Sequence, residues 1–294
     1  MKPAPFEYFT PKTVEEVLFL LTQHGFDAKV LAGGQSLVPT MNFRLAQPAV
    51  LIDLNQISEL FYVRAENPQE LRIGAMTRQR ELERNALIRQ QTPLVHETVP
   101  HIAHPQIRNR GTIGGAIAHA DPAAELPAVM VALNARFHLR CQNQERWISA
   151  KDFFIDLFTT ALEPEELLME IALPALAPHS GWAFREIARR PGDYAMAGVA
   201  VMVHLDDKAQ CQEAKIVFLS VGNGPVVADQ AAKILSGVRP DAKLIHAAAE
   251  TAASQDIDPS EDIHASADYR RHLVKILTEQ ALTAAFARAE KQTI

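Results

Sequence analysis

Cysteine is nearly missing from this chain: among 294 residues only Cys141 and Cys211 carry a thiol. An iron–sulfur cluster normally takes four thiolates, and a structural zinc site four Cys or His ligands at short spacing. Two distant cysteines build neither, and a disulfide is disfavoured in a reducing compartment, so two idle thiols are expected. Basic residues are also in short supply. The 29 Lys and Arg stand against 35 Asp and Glu, a formal charge of −6. A nucleic-acid or anionic-membrane surface needs a clustered basic excess, so neither is expected. The longest apolar run is Ala195–Val203, well short of the roughly 20 residues of a membrane span. The opening segment MKPAPFEYFT has no apolar core of the kind a signal peptide carries, so a cytoplasmic protein is expected. Glycine is sparse as well, at 13 residues, against a usual share of about 7%.

What is present has the patterning of a globular chain of about two domains. Thr13 and Glu16 have capping-box spacing ahead of a helix with Val17, Leu18, Leu20 and Leu21 on one face, ended by Gly25. Short strands are predicted at 28–32, 49–54, 71–74, 136–140 and 168–173. The stretch 77–102 reads as mostly helical, punctuated by Pro93 and Pro100. A helix is predicted over 122–134, entered through Asp121-Pro122. Two prolines in the segment 174–178 mark a linker. Beyond it come strands at 182–188, 196–205 and 215–221, then helices at 227–236, 242–253 and 266–290. In the last of these Ser266 is the cap and Leu273, Ile276, Leu277, Ala281 and Leu282 form the stripe. Strands grouped first and helices after point to an α+β fold.

The scarce glycine is concentrated. Five residues fall in two motifs, Leu31-Ala32-Gly33-Gly34-Gln35-Ser36-Leu37 and Arg110-Gly111-Thr112-Ile113-Gly114-Gly115-Ala116. Glycine suits a sharp turn or a close approach of backbone to ligand. Successive backbone N–H groups form anion-binding nests that suit a pyrophosphate, and each motif adds a hydroxyl, Ser36 or Thr112. Neither motif is a Rossmann G-x-G-x-x-G or a P-loop, so a doubly wound NAD-binding sheet is not supported. Two ligand-free turns remain the alternative.

The motifs have company. Arg44-Leu45-Ala46, Leu51-Ile52-Asp53-Leu54 and Ile73-Gly74-Ala75-Met76-Thr77 follow the first. The second sits within Pro105–Gly115 and is followed by Ala120-Asp121-Pro122-Ala123-Ala124-Glu125-Leu126-Pro127-Ala128, then Gly192-Asp193-Tyr194-Ala195 and Ser266-Ala267-Asp268-Tyr269-Arg270-Arg271. In this order, over essentially the whole chain, the sequence resembles the FAD-binding medium subunit of molybdenum hydroxylases, the xanthine dehydrogenase and carbon monoxide dehydrogenase relatives. The block 105–128 is the most specific part.

The resemblance implies an FAD-binding domain of the p-cresol methylhydroxylase type over residues 1–175. Its two α+β lobes would cover about 1–55 and 56–175. A smaller C-terminal α+β domain of the carbon monoxide dehydrogenase flavoprotein type would cover 179–290. It implies FAD on this chain, with Leu31, Ala32, Gly33, Gly34, Gln35, Ser36, Leu37 and Val38 around the pyrophosphate. Gly111, Thr112, Ile113, Gly114, Gly115 and Ala116 would close on it from the other lobe. Ile102 would line the site, and Leu168 would pack near the isoalloxazine or adenine. Glu125 stands where relatives usually carry an aspartate that hydrogen-bonds the ribityl or adenosine part. Arg185 stands where xanthine dehydrogenases have a lysine, and Tyr194 falls near the flavin ring. No residue of the chain need act as acid, base or nucleophile.

The resemblance further implies an electron-transfer role in the cytoplasm beside two partner subunits. A small one would carry two 2Fe-2S clusters and a large one the molybdopterin, assembled as a dimer of heterotrimers. No metal site is expected on this chain, although His101, His104, His119 and Asp121 lie near one another in sequence. Three points stay open. Arg108 and Arg110 either neutralise pyrophosphate or lie on a polar surface. Tyr194 either meets the flavin or is an ordinary core tyrosine. Arg189-Arg190 either faces a partner or is solvated, and Asp268, Arg270 and Arg271 are read as capping and solvating the last helix. A self-sufficient FAD oxidase or dehydrogenase on the same fold is the competing enzyme reading, and a binding module the non-enzymatic one.

Overall fold

The computed structural model describes residues 1–291. The chain begins with a three-stranded parallel sheet of β1 (Glu7–Phe9), β2 (Ala28–Leu31) and β3 (Val50–Asp53), in the order β1-β3-β2. Helix α1 (Val14–His24) connects β1 to β2, and α2 (Leu37–Asn42) follows β2. The predicted capping is present: the Thr13 hydroxyl accepts the Glu16 N–H at 3.2 Å, while the Glu16 carboxylate reaches back to the Lys12 N–H at 2.7 Å. Val14, Val17, Leu18 and Leu21 are buried against β3, and a core closes around them with Ile57, Leu60 and Met76 from the next segment.

A five-stranded antiparallel sheet follows. Its strands are β4 (Val63–Asn67), β5 (Glu70–Gly74), β6 (Arg136–Arg140), β7 (Glu145–Ser149) and β10 (Leu167–Pro174), the last reached after the β8–β9 hairpin (Phe154–Asp156 and Thr159–Thr160). The returning strand β10 inserts between β5 and β6 and becomes the centre of the sheet. The predicted helical stretch 77–102 is three short helices, α3 (Gln79–Arg84), α4 (Ala86–Gln91) and α5 (Pro93–Thr98), and a final turn. Asn85 breaks it by adopting extended backbone and capping the Leu87 N–H at 2.9 Å, and Pro93 restarts it at a first-turn position. Four further helices complete this part: α6 (Pro105–Arg108), α7 (Ile113–His119), α8 (Glu125–Ala132) and α9 (Ala150–Phe153). Helix α8 starts later than the sequence suggests. Asp121 folds the preceding residues into a turn, its carboxylate accepting the Ala123 N–H at 2.9 Å, so Pro122 stays outside the helix.

The last part is a four-stranded antiparallel sheet of β11 (Ser180–Ala188), β12 (Ala195–Leu205), β13 (Cys211–Leu219) and β14 (Val226–Val227). It is packed by α10 (Asp229–Leu235), α11 (Ala242–Thr251) and α12 (Ala267–Lys291). Strand β12 is apolar along nearly its whole length because it is covered on both faces, by α12 and by α8. Within α12 the predicted stripe holds except at Ile276, which is 37% exposed. Arg270 is not a solvating residue. Buried, it donates to the carbonyls of Met196 and Ser220 and to Asp262, tying α12 to β12 and to the residue that follows β13.

The two parts meet through an apolar seam, since Phe184, Ala195, Ala200, Val217 and Leu219 belong to the same buried cluster as Leu126, Val129 and Ile117. Glu97 on α5 adds a polar clamp. Its carboxylate takes the Phe184 N–H at 3.3 Å, Arg185 at 3.0 Å and Arg288 at 2.5 Å. Both cysteines are free, and burial pushes the Cys211 thiol up to about 11. Among the described residues no helix is long and apolar enough to cross a membrane.

Candidate functional site

The two glycine motifs lie against each other. A Cβ on Gly33 would stand 2.5 Å from the Arg110 carbonyl oxygen and 2.8 Å from the Gly111 Cα, so only glycine admits that contact. Gly34 turns the chain with φ +74°, which sends the backbone from the end of β2 into α2. Within this turn the Gly33, Gly34, Gln35 and Ser36 N–H groups have no acceptor among the described residues, although Gly33 is buried. Buried backbone N–H groups are nearly always paired, so four neighbouring free donors mark a cradle for an anionic ligand.

The second motif behaves differently. Its N–H groups are spent inside the protein: Ile113 on Thr77 O at 3.0 Å, Gly114 on Ala75 O at 2.8 Å, Gly115 on the Thr112 hydroxyl at 3.0 Å and Ala116 on Thr112 O at 3.2 Å. Both motifs were expected to offer N–H donors and a hydroxyl, and for the second this is corrected. Thr112 is buried and caps α7, and the glycines of this motif serve close packing. A Cβ on Gly115 would stand 2.7 Å from the Thr112 hydroxyl and 3.4 Å from the Ala32 Cβ, and Gly111 O receives the Gln79 N–H at 2.9 Å.

A polar network staples the motifs together. Asn55 donates to Ala32 O at 3.0 Å, and Arg78 donates to Asn55 Oδ1 and to Arg110 O, each at 2.5 Å. Asp53 holds Asn55 from below through the Asn55 N–H at 2.8 Å and is itself held by Tyr8 Oη at 2.5 Å. Sequence reasoning missed Arg78 and Asn55, although each directly follows a quoted block. The cue lay in a long cationic side chain one residue after Thr77. Removing the fork by Arg78→Met is expected to leave the cradle unbraced and to lower flavin affinity by roughly tenfold, the equivalent of about 1.4 kcal/mol. Fluorescence titration of the stripped chain checks this.

The remaining predicted residues have varied surroundings. Ile102 is buried, and its carbonyl accepts Arg108 at 2.8 Å. Arg108 is neither a pyrophosphate partner nor a surface residue. It is 5% exposed and braces the 100–103 turn through three carbonyls while pairing with Glu83 at 3.1 Å. Glu125, 8% exposed, opens α8. Burial, then the like charge of Glu186, pushes its carboxyl up to about 8. Tyr194 is no core tyrosine, being 68% exposed. Partial desolvation at its hydroxyl and the carboxylates of Asp121 and Glu125 raise its phenol above the ordinary range.

Leu168 packs in the core on β10, beside Met169, whose carbonyl accepts the Ala75 N–H behind Gly114 at 2.9 Å. Arg185 is occupied by Glu97 and by the Phe184 carbonyl, at the junction between the two parts. The structure thus brings together the two motifs, and sets the Tyr194 phenol within electrostatic reach of Asp121 and Glu125. It places Leu168 behind the motifs and engages Arg185 at the seam.

Residues 4–176 match the model of the FAD binding domain in molybdopterin dehydrogenase, and residues 182–285 that of the CO dehydrogenase flavoprotein C-terminal domain. The chain belongs to this flavoprotein family. Among its relatives is the 6-hydroxypseudooxynicotine dehydrogenase complex subunit alpha of Paenarthrobacter nicotinovorans, 43% identical over 98% of this chain and 97% of the relative. The carbon monoxide dehydrogenase medium chain of Hydrogenophaga pseudoflava is 40% identical, over 98% of this chain and 99% of its own. A solved structure of carbon monoxide dehydrogenase from the same organism superposes with a TM-score of 0.94, at 40% identity, covering 98% of this chain and 99% of that one. Quinoline 2-oxidoreductase from Pseudomonas putida 86 superposes with a TM-score of 0.92 at 35% identity, covering 98% and 99%. The orphaned donors of the first motif fit the pyrophosphate that an FAD-binding flavoprotein of this family must hold.

Proposed function

We propose that this chain is the FAD-bearing electron-transfer subunit of a molybdopterin-dependent dehydrogenase complex. The observation that carries the reading is the row of free N–H donors from Gly33 to Ser36 in a chain of this family. Leu31, Ala32, Gly33, Gly34, Gln35, Ser36, Leu37 and Val38 hold the pyrophosphate. Gly111, Thr112, Ile113, Gly114, Gly115 and Ala116 shape the wall behind it. Ile102, Glu125, Leu168 and Tyr194 bound the rest of the cofactor, and Arg185 supports that wall through Glu97. Residues 1–175 form the FAD-binding domain, with lobes of about 1–55 and 56–175, and 179–290 the C-terminal domain.

FAD supplies the redox chemistry, and the protein supplies binding, orientation and electrostatics. Relatives named as a complex subunit and as a medium chain support a multi-subunit setting. Electrons arrive from a small subunit with 2Fe-2S clusters, and a large subunit with molybdopterin oxidises and selects the substrate, in a cytoplasmic dimer of heterotrimers. With two free cysteines this chain has too few thiolates for such clusters. The purified chain is expected to carry one non-covalent FAD. Acid precipitation releases it, and chromatography identifies FAD rather than FMN. Flavin that stays with the precipitate, or a colourless chain that takes up no FAD, contradicts the reading.

A further inference from the structure

The buried guanidinium of Arg270, on the first turn of α12, holds two irregular points of the backbone at once. Its Nη2 meets the Asp262 carboxylate at 2.6 Å, and that carboxylate is itself fixed by the His264 and Ala265 N–H groups at 2.8 and 2.9 Å. Its Nη1 donates to the Met196 carbonyl and, at 2.9 Å, to the Ser220 carbonyl. Met196 is the extra residue where the register of β11 and β12 shifts: Ile187 pairs with Ala197, but Ala188 pairs with Ala195. Such a bulge bends its strand and re-aims the side chains beside it. Tyr194 stands two residues before it. Ser220 follows β13 with φ +63°, a left-handed backbone that a residue with a Cβ keeps only where its neighbours over-determine it. Arg270 holds its carbonyl, and its N–H donates to the Pro122 carbonyl at 2.8 Å. Pro122 lies in the turn that Asp121 closes on the Ala123 N–H ahead of α8. One side chain therefore reaches the bulge beside Tyr194 and the residue that holds the Asp121 turn. Those two ends act on each other: partial desolvation, then the Asp121 carboxylate, raises the Tyr194 phenol.

We propose that Arg270 is a positioning residue for the flavin cleft: it pins the Met196 bulge and, through Ser220, the Pro122 turn, and so sets Tyr194 against Asp121 where the two parts of the chain meet. The chemistry of the side chain suits this. A guanidinium is a planar, permanently charged fork, so one group can hold a carboxylate and two carbonyls in a fixed relation. An ammonium carries the same charge as a point and does not reproduce the fork. Arg270 acts only through Met196 and Ser220, and Asp262 orients it. The proposal rests on the reading that Tyr194 bounds the flavin.

The test uses the full chain with two variants, Arg270→Lys, which loses the fork, and Asp262→Glu, which lengthens the group that orients it. Both keep the charge, so a shift of a nearby titration reports a change of position. The Tyr194 phenol is followed by phenolate absorbance in the chain stripped of flavin, its share identified by the difference from Tyr194→Phe. In the wild type it titrates above the ordinary tyrosine range. Arg270→Lys is expected to move it down toward that range, because Tyr194 leaves the Asp121 carboxylate. The same variant is expected to weaken FAD binding by roughly tenfold in a fluorescence titration, within the span by which residues without ligand contact modulate a site. Asp262→Glu is expected to shift both in the same direction by less. Circular dichroism melting shows which variants fold, and Asp262→Glu decides alone if Arg270→Lys does not. A phenol that stays in place or moves up in a folded variant overturns the proposal. A phenol that moves down while FAD affinity is unchanged overturns instead the reading that Tyr194 bounds the flavin.

Discussion

Gly114→Val is expected to lower the melting temperature by roughly 10 °C or more, while Gly34→Val folds and loses most of its flavin. The two glycines meet different neighbours. A Cβ on Gly114 would stand 2.6 Å from the Ala75 Cβ, 2.7 Å from its carbonyl oxygen and 2.9 Å from its Cα. Backbone on both sides has nowhere to go, and the Gly114 N–H to Ala75 O bond lies in the same contact. Overpacking costs about 1–3 kcal/mol and a lost buried hydrogen bond about 1–3 more, against a total stability of about 5–15 kcal/mol. Around Gly34 the nearest atoms are side-chain tips, Leu31 Cδ1 at 3.1 Å and Val38 Cγ2 at 3.2 Å, which can shift. There the strain comes from φ +74°, worth about 1–2 kcal/mol for a residue with a Cβ. It falls on the turn that aims the free N–H groups. Circular dichroism melting and the flavin-to-protein ratio separate the two effects. Full occupancy and an unchanged melt in both variants would mean that these glycines are ordinary turns.

The isolated chain is expected to show no flavin bleaching when offered aldehydes, purines or N-heterocycles without oxygen, yet to bleach fully with dithionite. This is the larger contrast, all against none. In the proposed complex the substrate is oxidised on another subunit, and electrons reach this chain only across a docking surface. Substrate-driven bleaching should appear once the cluster-bearing and molybdopterin-bearing partners are added. Rapid bleaching of the lone chain by any of these compounds would overturn the subunit reading in favour of a self-sufficient FAD oxidase or dehydrogenase on the same fold.

The elements that follow from local chemistry were legible in the chain itself. Thr13 and Glu16 mark a helix start, and Gly25 its end, because capping is satisfied within a few residues. Ser266 caps the last helix through the Tyr269 N–H at 3.2 Å for the same reason. Strands β1, β4 and β7 were not legible. Each is short and mostly exposed, so no alternation announces it, and it exists because a neighbouring strand offers a free edge. The break at Asn85 and the late start of α8 at Glu125 went unread because Asn and Asp side chains compete locally with the helix.

By itself the sequence determined the family, the cofactor class and the two motifs, since sparse glycine in two ordered blocks is a property of the linear chain. It also determined that clusters reside elsewhere, because thiolates can be counted without a fold. Tertiary structure alone decided what each glycine and each charge does. Gly33 and Gly114 are glycines because another backbone lies against them, contacts made between segments far apart in sequence. Arg108 and Arg270 look like surface arginines in the chain and are buried braces in the fold. Burial of Glu125 at the start of α8, with the like charge of Glu186, pushes its carboxyl up to about 8, which no local pattern announces. Desolvation and like-charge repulsion depend on three-dimensional neighbours, which the order of residues does not state.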